Sequence, residues 1–98
     1  MIDKKILLIV EDEEDVRELL TEHLHPLTPN IYTAKNGQDA LDIIKTQPID
    51  AILSDITMPV LNGIGLLSQV RALGINTPFV FLTAYGDKQN MLSALRLN

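Results

Sequence analysis

"LLIVEDEEDV", residues 7–16, sets four aliphatic side chains directly against the acids Glu11, Asp12, Glu13, Glu14 and Asp15. Buried aliphatics and crowded carboxylates have opposite solvation needs, so a chain that abuts them puts one set in a core and the other at its rim. The apolar run over residues 5–10, "KILLIV", is too short for a buried helix. It reads as a strand covered on both faces, as in a parallel sheet. Acids that begin where such a strand ends are aimed by it. The plainer alternative is that Asp12 or Glu13 merely complements the positive end of a following helix.

Outward from that junction, strand and helix patterns alternate. Residues 13–24 carry Val16, Leu19, Leu20 and Leu24 at helical spacing, and "HPLTPN" breaks the helix. "IYTA", residues 31–34, is a brief strand, and "KNG" is a turn. Residues 38–47 form a predicted helix with Ala40, Leu41 and Ile44 inward, ended by Pro48. "DAILSD", residues 50–55, is a third strand, followed by the loop "ITMPVLNG". Residues 63–73 return to helical spacing through Leu67, Val70 and Leu73, weakened by Gly65 and stopped by Gly74. "TPFVFLT", residues 77–83, is a fourth strand, and residues 87–97 are a last helix. Four strands alternating with four helices predict an α/β, doubly wound parallel sheet joined by right-handed crossovers.

Composition agrees and excludes several classes. The 98 residues are 46% hydrophobic with a mean hydropathy of +0.14, which suits one compact domain over residues 1–98 rather than a disordered chain. A net charge of −5 and a pI near 4.7 argue against direct nucleic-acid binding, which needs clustered Lys and Arg. Without cysteine there is neither a disulfide framework nor a thiolate metal site. No stretch has the form of a signal peptide or the length of a membrane span, so the expected location is the cytoplasm, without membrane contact. His23 and His25 flank a helix end and are not read as metal ligands.

In open parallel sheets, ligands sit beyond the carboxyl ends of the strands, where the strand order reverses. The residues expected there are Glu11 and Asp12 after the first strand, Asp55 after the third and Thr83 after the fourth. Converging carboxylates repel unless one keeps its proton or a cation intervenes. Magnesium, which takes few carboxylates and keeps several waters, suits the set. It is also what phosphoryl transfer needs, to neutralise charge on the phosphoryl oxygens. One carboxylate can then act as nucleophile and become an aspartyl-phosphate, with Thr83 donating a hydrogen bond to the new group. Taken singly, Asp55 also reads as a turn former and Thr83 as an ordinary β-branched strand-end residue.

Together, "IVEDEEDVRELL", "AILSDITMPVLNG" and "FVFLTAYGD" resemble the response-regulator receiver domain, the phospho-acceptor module of two-component signalling. The resemblance runs from residue 5 to the end of the chain. It implies a flavodoxin-like (CheY-like) fold, with the family's 2-1-3-4-5 sheet shortened to the order 2-1-3-4. It also implies that the domain is not an enzyme, that Asp55 is the phosphorylated aspartate, and that Thr83 is the switch hydroxyl. Mg2+ would lie on Glu11, Asp12, Asp55 and the backbone carbonyl of Thr57. The implied partner is a sensor histidine kinase or a phosphotransfer protein. Family members continue into a fifth strand, bearing a lysine and an aromatic switch residue, and a fifth helix, so the receiver is expected to be incomplete at its C-terminus. Lys4 and Lys5 sit at the opposite end of the sheet and Lys88 begins the last helix, which leaves the lysine position unfilled. Two functions are therefore expected: a working phospho-acceptor, or a non-switching receiver remnant serving as an interaction or dimerisation module. The apolar fourth strand, Phe79, Val80, Phe81 and Leu82, predicts a homodimer through that strand and an uncovered sheet face.

Overall fold

The computed structural model describes residues 5–82. Within them the chain runs β1 (Ile6–Val10), α1 (Glu14–Leu24), β2 (Asn30–Ala34), α2 (Gly37–Thr46), β3 (Ala51–Ser54), α3 (Gly63–Ala72) and β4 (Phe79–Phe81). All strand pairs are parallel and the order is β2-β1-β3-β4, as expected. The helix expected over residues 87–97 and Thr83 lie outside the described residues.

β1 is central, and Leu8, Ile9 and Val10 within it are fully buried, so both of its faces are covered. Side chains alternate across a strand. Leu8 and Val10 pack with Ile52 against Ala40, Leu41 and Ile44 of α2 and Leu66 and Val70 of α3. Ile9 turns the other way, with Leu7, Ile31, Leu53 and Leu82, onto Val16, Leu19, Leu20 and Leu24 of α1. Each buried aliphatic side chain contributes about 1.5–3 kcal/mol. Among the described residues, two helices thus lie on one face of the sheet and one on the other.

Helix starts are fixed locally. The Asn36 side chain accepts from the Asp39 N–H at 2.8 Å and that of Asn62 from the Gly65 N–H at 2.8 Å, which caps α2 and α3. α1 carries Glu14 and Asp15 in its first turn, where carboxylates offset the helix dipole. That accounts for two of the five acids; Glu13 is the N-cap residue of α1, and Glu11 and Asp12 are left to another role.

Two expectations are corrected. α3 turns Gly63, Leu66 and Val70 inward; Leu67 is half-buried and Leu73 is exposed, so its inward face is one residue out of phase with the expected one. The phase is set at the helix start, where the Gly63 N–H donates to the Ile56 carbonyl at 2.8 Å and the backbone lies close against Asp55. β4 begins at Phe79 and not at Thr77 because Pro78 has no N–H to give, although its carbonyl still accepts from Ile52 at 2.9 Å. A third feature had no sequence reading: Thr28, buried in the α1–β2 connection, donates from Oγ1 to the Lys5 carbonyl at 2.8 Å. Among the described residues no helix is long and apolar enough to cross a membrane.

Candidate functional site

From β1 the chain crosses to β2 on one side, and β3 joins on the other, so strand order reverses between β1 and β3. The three strands end level, with Val10 paired to Ala34 and to Ser54. The next residue of each neighbouring strand extends the ladder. Glu11 N–H donates to the Ala34 carbonyl at 3.0 Å, and Asp55 N–H donates to the Val10 carbonyl at 2.9 Å. Sheet register thus places the two acids side by side.

Glu11 is fully buried, Asp55 is buried and Asp12 is exposed. The Glu11 Oε2 accepts from the Glu13 N–H at 2.9 Å, and its carbonyl accepts from Arg17 Nη1 at 2.8 Å. One carboxylate oxygen from each of Glu11, Asp12 and Asp55 lies within 4.8 Å of the others. Ligand bonds of about 2.1 Å put octahedral oxygens about 3.0 Å apart when adjacent and about 4.2 Å apart when opposite. Three oxygens within 4.8 Å therefore fit magnesium with slight closure, or with one carboxylate acting through a coordinated water.

Thr57 is exposed in the β3–α3 loop, and Met58 beside it is buried. The loop is closed at its base by the Gly63–Ile56 bond and pinned further along by Gly37, whose N–H donates to the Leu61 carbonyl at 3.0 Å. Neither glycine has room for a side chain: a Cβ on Gly37 would meet the Leu61 carbonyl oxygen, and one on Gly63 that of Asp55. Val60, 80% exposed at the loop tip, has φ +70°, a conformation costly for a β-branched residue. The structure thus brings Glu11, Asp12 and Asp55 together and leaves Thr57 in the adjoining loop. Arg17 was not singled out from the sequence, because its partner is the Glu11 backbone carbonyl, which no residue type marks.

Strand order, level strand ends and a carboxylate cluster at the order reversal define an α/β domain with an acidic rim beyond the carboxyl ends of its strands. Residues 7–98 match the response regulator receiver domain, and the chain belongs to that family. It is 38% identical over 91 residues to the probable transcriptional regulator ycf27 of Cyanidium caldarium, covering 93% of this chain and 36% of that protein. It is 37% identical over 95 residues to the sensor histidine kinase RcsC of Escherichia coli, covering 94% of this chain and 10% of that protein. The chain thus spans about a third or a tenth of these curated relatives. Among solved structures, response regulator TrrA of Thermotoga maritima in complex with Mg(2+)-BeF is 32% identical with a TM-score of 0.77, covering 93% of this chain and 80% of that one. The receiver domain of Francisella response regulator 1452 is 29% identical with a TM-score of 0.78, covering 94% and 76%. The fold is a receiver fold, and its acidic cluster is of the kind found at a phospho-acceptor site. Receiver domains are not enzymes in the conventional sense.

Proposed function

We propose that this chain is a receiver that takes a phosphoryl group onto Asp55 from a histidine of a sensor kinase or phosphotransfer protein. The observation that carries the reading is the gathering of Glu11, Asp12 and Asp55 oxygens within 4.8 Å at the reversal of strand order. An Asp55 carboxylate oxygen attacks phosphorus, the bond from phosphorus to the donor imidazole nitrogen breaks, and that nitrogen keeps the electron pair. Mg2+, held by Glu11, Asp12, Asp55 and the Thr57 carbonyl, would supply positive charge to the phosphoryl oxygens. Glu11, buried behind the site, fixes the inner wall, while exposed Asp12 stands where a cation exchanges with solvent. Thr83 is the proposed switch hydroxyl.

Two relatives support the reading. TrrA was solved in complex with Mg(2+)-BeF, and the yeast receiver domain of Ssk1, 29% identical to this chain, was solved with the histidine phosphotransfer protein Ypd1. Such a receiver works in the cytoplasm. Intact-mass analysis after treatment with a small phosphodonor and Mg2+ tests the proposal. One added phosphoryl group is expected, absent in Asp55→Asn; labelling that survives Asp55→Asn refutes it.

A second reading concerns the 98-residue chain on its own. Val80, in the middle of β4, is 60% exposed, and β4 pairs on one side among the described residues. Apolar edge strands invite pairing, so we propose a two-fold homodimer through β4. Sedimentation equilibrium showing a single 10.9 kDa species at high concentration rules that out.

A further inference from the structure

We infer that Arg17 is a positioning residue for the acidic pair: its guanidinium holds the Glu11 carbonyl and so sets the direction in which the chain presents Asp12. The inference rests on reading the acid cluster as a cation site. A peptide unit is planar, so the direction of the Glu11 carbonyl fixes the plane that ends at the Asp12 Cα. Glu11 is gripped from both sides of the junction. β2 holds its N–H through the Ala34 carbonyl at 3.0 Å, and α1 holds its carbonyl through Arg17 Nη1 at 2.8 Å. The backbone that carries Arg17 is held in the first turn of α1, where its N–H donates to the Glu13 carbonyl at 2.9 Å, and the Glu13 N–H in turn donates to Glu11 Oε2 at 2.9 Å. These bonds close a loop around Asp12, the exposed member of the cluster and the one outside the sheet ladder.

The bond is ionic on the donor side and half-buried, which makes it stronger than a neutral surface contact. Arg17 also walls two adjoining clefts, of about 400 and 210 Å³. The smaller is shared with Thr33, Lys35 and Asp39. Lys35 thus carries the same charge in the same neighbourhood, whereas the bond to Glu11 comes from Arg17.

That pairing separates positioning from charge. A cation near three carboxylates opposes binding of a second cation, so removing it for electrostatic reasons alone tightens Mg2+ binding. Losing the support of a metal-binding loop loosens it, with outer-shell supports typically worth 10–100-fold in affinity. The two effects have opposite signs.

The test is Mg2+ titration followed by heteronuclear NMR on Arg17→Met, Arg17→Lys and Lys35→Met at constant ionic strength. Arg17→Met should weaken Mg2+ binding about tenfold, Arg17→Lys should recover part of the loss, and Lys35→Met should bind as tightly as wild type or more so. Mg2+ binding by Arg17→Met equal to or tighter than wild type overturns the inference. Arg17→Gln is read by the same criterion if the Met variant does not fold. A metal-free readout separates this inference from the cation reading: Arg17→Met should shift the Asp12 and Glu13 amide resonances, and Lys35→Met should not. Wild type that ignores millimolar Mg2+ overturns the cation reading, whereas unmoved Asp12 and Glu13 amides in Arg17→Met overturn the role of Arg17.

Discussion

Gly63→Ala places a methyl group where the site has no room. The new Cβ would meet the Asp55 carbonyl oxygen, with the Ile56 Cα and Phe81 Cε1 each 3.1 Å away. Two of those three neighbours are backbone, held by the Gly63–Ile56 bond at 2.8 Å and by the Asp55–Val10 bond at 2.9 Å, so neither can rotate aside. Overpacking of this kind costs about 1–3 kcal/mol. Alanine recovers up to about 1 kcal/mol of helix propensity, less at the first position of a helix than in its interior. The steric cost wins, and the net loss should be about 1–2 kcal/mol. For a domain of this size that lowers Tm by about 4–8 °C per kcal/mol. Gly65→Ala is the control. Its Cβ would meet Leu61 Cδ1 at 2.8 Å, the far end of a flexible side chain, so the propensity gain should prevail and leave stability equal or raised. Urea and thermal unfolding of both variants measure the contrast. Gly63→Ala as stable as wild type, or the two variants equally harmed, would refute the packing argument.

Val60→Asn should stabilise the chain by about 1 kcal/mol, because asparagine tolerates the positive φ that valine resists; a lower urea midpoint counts against the strained geometry. Leu8→Ala, at a fully buried position of the central strand, should cost about 2–5 kcal/mol, and a loss under 1 kcal/mol would mean that β1 is not covered on both faces. Asn36→Ala should cost about 1 kcal/mol by removing the cap on the Asp39 N–H, again read by urea unfolding. Asp12→Asn should abolish Mg2+-induced amide shifts while leaving stability nearly unchanged, since Asp12 is exposed; persistent shifts would place the cation elsewhere.

How much of this was legible in the chain depended on whether the signal was local. The β1 run and the acids behind it are contiguous, so their roles as covered strand and rim could be read directly. Ala40, Leu41 and Ile44 were legible for the same reason, since a 3.6-residue period alone selects them. α3 failed on phase because Leu66, Leu67, Val70 and Leu73 offer two overlapping apolar stripes. The choice between them is made by Gly63 against Asp55, a contact between residues of different elements. The Thr28–Lys5 and Arg17–Glu11 bonds were invisible for a related reason: each joins a side chain to a backbone carbonyl, which has no residue signature.

The ladder bonds that continue past the strand ends bear on which charge the rim can accept. In many open sheets, free backbone N–H groups beyond the strands form a nest that welcomes anions. Here the amides of Glu11 and Asp55 are already committed to the carbonyls of Ala34 and Val10. The two residues therefore offer the rim carboxylate oxygens and no backbone donor. A preference for positive over negative ions is thus written partly into the sheet's hydrogen bonding, and under the proposed function a phosphoryl group on Asp55 has to find its donors elsewhere on the rim.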